Sequence, residues 1–310
     1  MATVYADRQK DVTEISLGGN LGSGRAIYYG TRYNIMGVGK TTLCTSSIPS
    51  HSTGRIDLIG ALRRVVLSRW INYFTQRALV HPVVIAHKET AQFKWNSNPI
   101  PLALLVRIDE GALDRPSHVE YLPDIAVDLE STLIKYAQLD AEYFAYRLML
   151  GAWSTGNYSL HGHMIDLETA SFVTYRGPYT TASSKYRENV FGYEGWGFVR
   201  ILRQLADVKG IEDSDIERRF FEKRHEHLAR CFLSLLGIDE TQCAASFLLH
   251  KDQIIALSDQ FERLAKKICP GKTDLNLYKS ISEHKDPSLL DMTNLFRNLG
   301  ECYTSPCDRE

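Results

Sequence analysis

Up to about residue 108 the chain runs as short β-rich pieces broken by glycine; beyond it come long stretches of helical periodicity. The switch predicts a small β-rich lobe first and a larger helical lobe second, an α+β chain divided at 1–109 and 110–310. In the first part TEISL, RAIYYG and TRYNIM read as strands, with the glycine-rich loop GGNLGSG between the first two. A long helix follows in IDLIGALRRVVLSRWINYFTQRAL, where Leu58, Leu62, Val65, Val66, Trp70 and Phe74 recur at helical spacing as the apolar face. PVVIAH and PLALLVRI return to strand. VDLESTLIKYAQLDAEYFAYRLMLGAW then predicts a helix of about seven turns, followed by a helix from Glu194 to Ala206 and three more helical stretches ending near Gly300.

A composition of 44% hydrophobic residues over 310 positions is enough for a large core. The 36 basic and 37 acidic residues are well mixed, so no charged footprint marks a nucleic acid or an anionic membrane as partner. No window approaches the roughly 18 apolar residues of a membrane span, and MATVYADRQKDVTEI lacks a signal core, so the expected location is cytoplasmic. The six cysteines form no CxxC pair and read as free thiols.

The chemistry concentrates in WSTGNYSLHGHMIDLETAS, Trp153 to Ser171. Ser159-Leu160 and Met164-Ile165 flank His161-Gly162 and read as two strands joined by a glycine turn, which sets Asn157 and Asp166 at matching ends. Two hard oxygen ligands converging at one end of a hairpin suit Mg or Mn bridging nucleotide phosphates; the plain alternative is a turn asparagine and a solvated aspartate. Glu168 reads either as a solvent-facing residue or as a second ligand or base. His161 and His163 lack a third ligand at fixed spacing and read as a solvated turn. His225 and His227, in a helical stretch, point apart. GVGKTT is not a P-loop, because Asn34 stands where the first glycine belongs and no helix follows Thr41.

The order of elements is that of a protein kinase, although no HRD, DFG or VAIK-type lysine is present. Five segments resemble, in order, the selenoprotein-O family of kinase-like AMP transferases. Leu21-Gly22-Ser23-Gly24-Arg25-Ala26 resembles the LGDGRA loop, and Met36-Gly37-Val38-Gly39-Lys40-Thr41 resembles the KGxGxTP segment. Gly54-Arg55, with Leu58 and Arg63, resembles the run that opens the long helix; Leu105-Val106-Arg107, with Arg115, resembles the paired arginines for the terminal phosphate. Gly156-Asn157-Tyr158-Ser159-Leu160 through Asp166 is similar, without gaps, to DNMSLLGLTLDYG. The resemblance covers roughly residues 15 to 207.

It implies a two-lobed protein-kinase-like fold that binds ATP with Mg or Mn and transfers AMP to an acceptor: a protein, a peptide or a small molecule. Gly22, Ser23, Gly24 and Arg25 would contact phosphates, Arg107 and Arg115 the terminal phosphate, and Asn157 and Asp166 the ion. The departures are Met36 at the strand lysine, Arg69 at its glutamate partner and Gly156 before the metal asparagine. Lys40 is the expected replacement for the lysine, with Arg69 as the second choice. A catalytically inactive pseudokinase serving as a nucleotide-sensing or interaction module, and a phosphotransferase, are the alternatives.

Overall fold

The structure is a computed structural model; it describes residues 3–4, 26–29, 33–39, 53–75, 83–93, 96–108, 114–119, 125–149, 155–167, 170–172 and 192–268. It is mixed α+β, and the described residues cluster into two compact units. One draws on Met1–Val127 and Ser154–Glu168, the other on Asp128–Trp153 and Thr169–Ser280. No helix among the described residues is long and apolar enough to cross a membrane.

The first unit is built on an antiparallel sheet. Its strands are β1 (Thr3–Val4), β2 (Ala26–Tyr29), β3 (Tyr33–Met36), β4 (Ile56–Asp57), β5 (Val83–Phe93) and β6 (Asn96–Ile108). β6 is the central rail. On one edge it pairs with β3, Met36 opposite Leu105, and then with β4, Ile56 opposite Ala103. β5 covers the other edge, with Val83 opposite Val106. The strand expected at TEISL lies outside the described residues.

Helix α1 (Leu58–Phe74) starts where Asp57 caps it, its carboxylate accepting from the Gly60 amide at 2.7 Å. Its buried residues are Ala61, Arg63, Arg64, Leu67, Ser68 and Ile71, whereas Leu62, expected on the apolar face, is 43% exposed. The reason lies at the contact with the sheet. Ala61 packs with Ile56, Ala103 and Leu105, with Met36, Leu58, Val65 and Val84 around them. A small side chain there lets the helix approach β6 closely, and that orientation carries the two arginines inward. The short helix α2 (Pro116–Val119) also belongs to this unit.

In the second unit helix α3 (Leu129–Ala145) is the buried centre. Asp128 caps its start by accepting from the Ser131 amide at 2.9 Å. The helix is shorter than its apolar period suggested: it stops at Tyr146, and Arg147 takes a positive φ of 57°. Leu148–Met149 (β7) instead pairs with Ser171–Phe172 (β8). Helices α4 (Gly195–Lys209), α5 (Ile216–Leu235) and α6 (Glu240–Ile268) complete the unit, α6 being kinked at His250. Tyr136 meets Phe198 at 4.8 Å between ring centroids, and Ala141, Phe144, Ala145 and Met149 close on Leu228 and Cys231.

Candidate functional site

The stretch 155–167 folds as a tight turn on a single bridge, Tyr158 opposite Met164, in place of two full strands. Ser159 fixes the turn. Its amide donates to the His163 carbonyl at 2.9 Å, and its hydroxyl accepts from the amides of His161 and His163 at 3.2 and 3.0 Å. Gly162 sits at φ 76°, a conformation that glycine takes without strain. Tyr158, Leu160, Met164, Ile165 and Leu167 are buried and anchor the turn, leaving Asn157 and Asp166 half-exposed. The Ile165 amide donates to the Asn157 carbonyl at 2.8 Å, so Asn157 and Asp166 leave the bridge at the same end, as their spacing predicted.

The partner of Asp166 is Arg64. Its Nη2 lies 3.6 Å from Asp166 Oδ1, and its Nη1 lies 3.4 Å from the sulfur of Met36. Arg63 donates from Nη1 to the carbonyl of Leu167 at 3.2 Å. Two adjacent arginines on α1 therefore hold the end of the 155–167 turn, one through its side chain and one through its backbone. Both are buried, at 3% and 4% exposure.

Asp57 belongs to the same electrostatic group. Burial pushes its carboxyl above the ordinary value of 3.8, against the lowering effect of the Gly60 amide and of the Arg64 charge. Arg64 thus has Asp57 at the foot of its own helix and Asp166 on the turn. Asp57 Oδ1 is committed to the helix cap, while Asp166 is the half-exposed carboxylate of the two.

Arg107 is 2% exposed and donates from Nε to Asn34 Oδ1 at 3.1 Å, across the register pair that joins β3 to β6. Arg115, 8% exposed, immediately precedes α2. This segment is tied to the turn, since the Leu160 amide donates to Asp114 at 2.7 Å and the Ser117 amide donates to Thr155 at 3.2 Å. The structure thus ties Asp166 to the Met36 strand and the Arg115 segment to the turn. Gly22, Ser23, Gly24, Arg25, Lys40 and Glu168 lie outside the described residues. Arg69 is exposed on α1, on a different face from Arg64.

Arg64 is the residue that sequence reasoning missed; Arg63 was singled out only as part of the run that opens the helix, without a role. The available signal was a stripe of small and polar residues, Asp57, Gly60, Arg64 and Ser68, at helical spacing through an otherwise apolar segment.

In the second unit His225 and His227 do face different partners, Glu262 at 3.8 Å and Glu142 at 2.9 Å. His225, Asp259 and Glu262 bring ligand-type atoms within 4.8 Å of one another. A cation is already built in there. Arg224, buried, donates to Asp140 and to Glu262, and despite the cost of burial these carboxylates hold its charge on. Cys231 and Cys243 are buried free thiols.

No protein-family model matches the chain, and no curated protein matches it.

Proposed function

We propose that the protein is a kinase-like nucleotidyltransferase that binds ATP with Mg or Mn and transfers AMP to an acceptor, the sheet unit supplying the phosphate site and corresponding to the smaller lobe of that fold. One observation carries the reading. Arg64 places a buried guanidinium between Met36, where the resemblance has its lysine, and Asp166, where it has its metal ligand. A cation in that position is what a polyphosphate needs, and it comes from the helix where the strand has lost its own.

In this reading Asp166 and Asn157 hold the ion; their donor set, one carboxylate and one amide oxygen at the half-exposed end of the turn, suits a hard divalent cation. The ion, when bound, neutralises phosphate charge. Arg64 fixes the phosphate chain, and Arg107 and Arg115 serve its terminal end, with Arg25, Lys40 and the Gly22–Gly24 loop contributing further donors. A nucleophilic acceptor oxygen forms a bond to the α-phosphorus, the bond to the β-phosphate oxygen breaks, pyrophosphate leaves, and the acceptor proton passes to solvent. The roles of Arg63 and Ser159 are positional: they hold the backbone on which Asp166 and Asn157 sit.

The second reading, a nucleotide-sensing module without turnover, draws on the ion pair itself, since an Asp166 already neutralised by Arg64 is a weaker metal ligand. Incubation with ATP labelled at the α-phosphate or at the γ-phosphate separates the possibilities. Label from the α position on protein or small-molecule acceptors supports AMP transfer. Label from the γ position alone makes the protein a phosphotransferase. Binding without either transfer makes it a sensor.

A further inference from the structure

We infer that Arg64 excludes a bare divalent cation from Asp166 and admits one only together with a phosphate group, so that cation and phosphate bind as a coupled pair. The inference rests on the reading of Asp166 as the ion-holding carboxylate, and deepens it by assigning an order to the site.

The geometry is one-sided. Arg64 is 3% exposed, in the buried half of α1, with one nitrogen against the Met36 sulfur and another 3.6 Å from Asp166. A guanidinium does not lose its proton at accessible pH, so this positive charge stands beside the carboxylate under all ordinary conditions. A divalent ion arriving alone must share Asp166 with it, and meets repulsion in a partly dehydrated setting where screening by salt is weak. Asp57 offsets part of the Arg64 charge, but it is buried and bound through Oδ1 to the Gly60 amide, so Asp166 is the half-exposed carboxylate that the ion meets.

A phosphate reverses the balance. Its oxygens match the guanidinium fork, so Arg64 gains a further anion and Asp166 is released towards the metal. The ion then has ligands on both sides, and each of the two binders raises the affinity for the other by the same factor. Met36 is compatible with this change of partners, since its neutral thioether brings no charge of its own to the arginine.

The test is binding of Mn2+ alone to the full chain, free Mn2+ being read directly from its paramagnetic resonance signal. The proteins compared are the unmodified chain, Arg64→Met, and Arg64→Met combined with Asp166→Asn. Removing Arg64 is expected to tighten bare Mn2+ about tenfold, within the usual range of coupling between sites, and Asp166→Asn to cancel the gain. In the unmodified chain saturating inorganic phosphate is expected to tighten Mn2+ by a similar factor, and this arm decides the matter if Arg64→Met does not fold. Equal Mn2+ affinity with and without Arg64, or with and without phosphate, overturns the coupling while leaving Asp166 as an ion ligand. Absence of Mn2+ binding in every arm overturns the coupling and the metal reading together.

Discussion

Arg64 of helix α1 and Asp166 of the 155–167 turn form an ion pair at 3.6 Å, and their neighbours Arg63 and Leu167 are hydrogen-bonded at 3.2 Å. A helix packed on the sheet and a turn remote from it in sequence are thereby joined by two consecutive contacts. The first gives a charge to the site and the second sets its backbone. The functional proposal rests on the first, which sets a cation beside Met36, where the resemblance has a lysine.

That assignment separates two arginines of the same helix. Arg69 is exposed and faces away from the site, so Arg69→Ala should leave stability within about 0.5 kcal/mol and the melting response to ATP unchanged. Arg64→Met should abolish most of the ATP response while the circular dichroism spectrum stays that of a folded chain. Equal responses from the two variants would remove Arg64 from its role.

Gly37 and Gly39, in the segment after β3, should differ sharply. Both have positive φ, 88° and 98°. A Cβ on Gly37 would lie 2.4 Å from the Ala103 carbonyl oxygen and 2.5 Å from the Ile56 side chain, whereas one on Gly39 meets nothing within 4 Å. Gly37→Ala should therefore cost about 3 kcal/mol, from backbone strain plus a clash with central strand β6. Gly39→Ala carries the strain alone, about 1–2 kcal/mol. Urea midpoints of the two variants measure the difference.

Asp57 predicts a pH dependence. Its folded carboxyl titrates above 3.8 because it is buried, so between 3.8 and that raised value the folded state binds more protons than the unfolded one. Its contribution to stability therefore falls as pH rises through this window and levels off above it. Asp57→Asn keeps an oxygen for the Gly60 amide and loses the titration. Relative to the unmodified protein the variant should gain stability in urea titrations as pH rises from 3.8 through the raised value; a constant difference between the two would contradict the assignment.

Much of the scaffold was legible in the sequence because its signals were local. Glycines bracket the runs that become β2 and β3, and the apolar runs PVVIAH and PLALLVRI appear as the β5–β6 pair. The common exit of Asn157 and Asp166 followed from a glycine turn and a two-residue period. What failed was the face of α1. Hydrophobic spacing favours Leu62 and Trp70, but the helix turns Ala61 to the sheet, and the arginines follow it into the interior. Apolar periodicity cannot announce a buried arginine, since its partners lie on other elements. The same limit applies to α3, where apolar residues continue through Leu148 and Met149, yet the backbone leaves the helix at Arg147 and pairs as strand β7.

The most direct measurement is a melting titration of the full chain with ATP, with and without Mg or Mn, repeated on Asp166→Asn. A rise in melting temperature that requires the metal is expected, equivalent to about 2.7 kcal/mol at 100 times the dissociation constant, with its loss in the variant. An unchanged melting temperature at millimolar ATP with metal, or an equal rise in Asp166→Asn, would contradict that expectation.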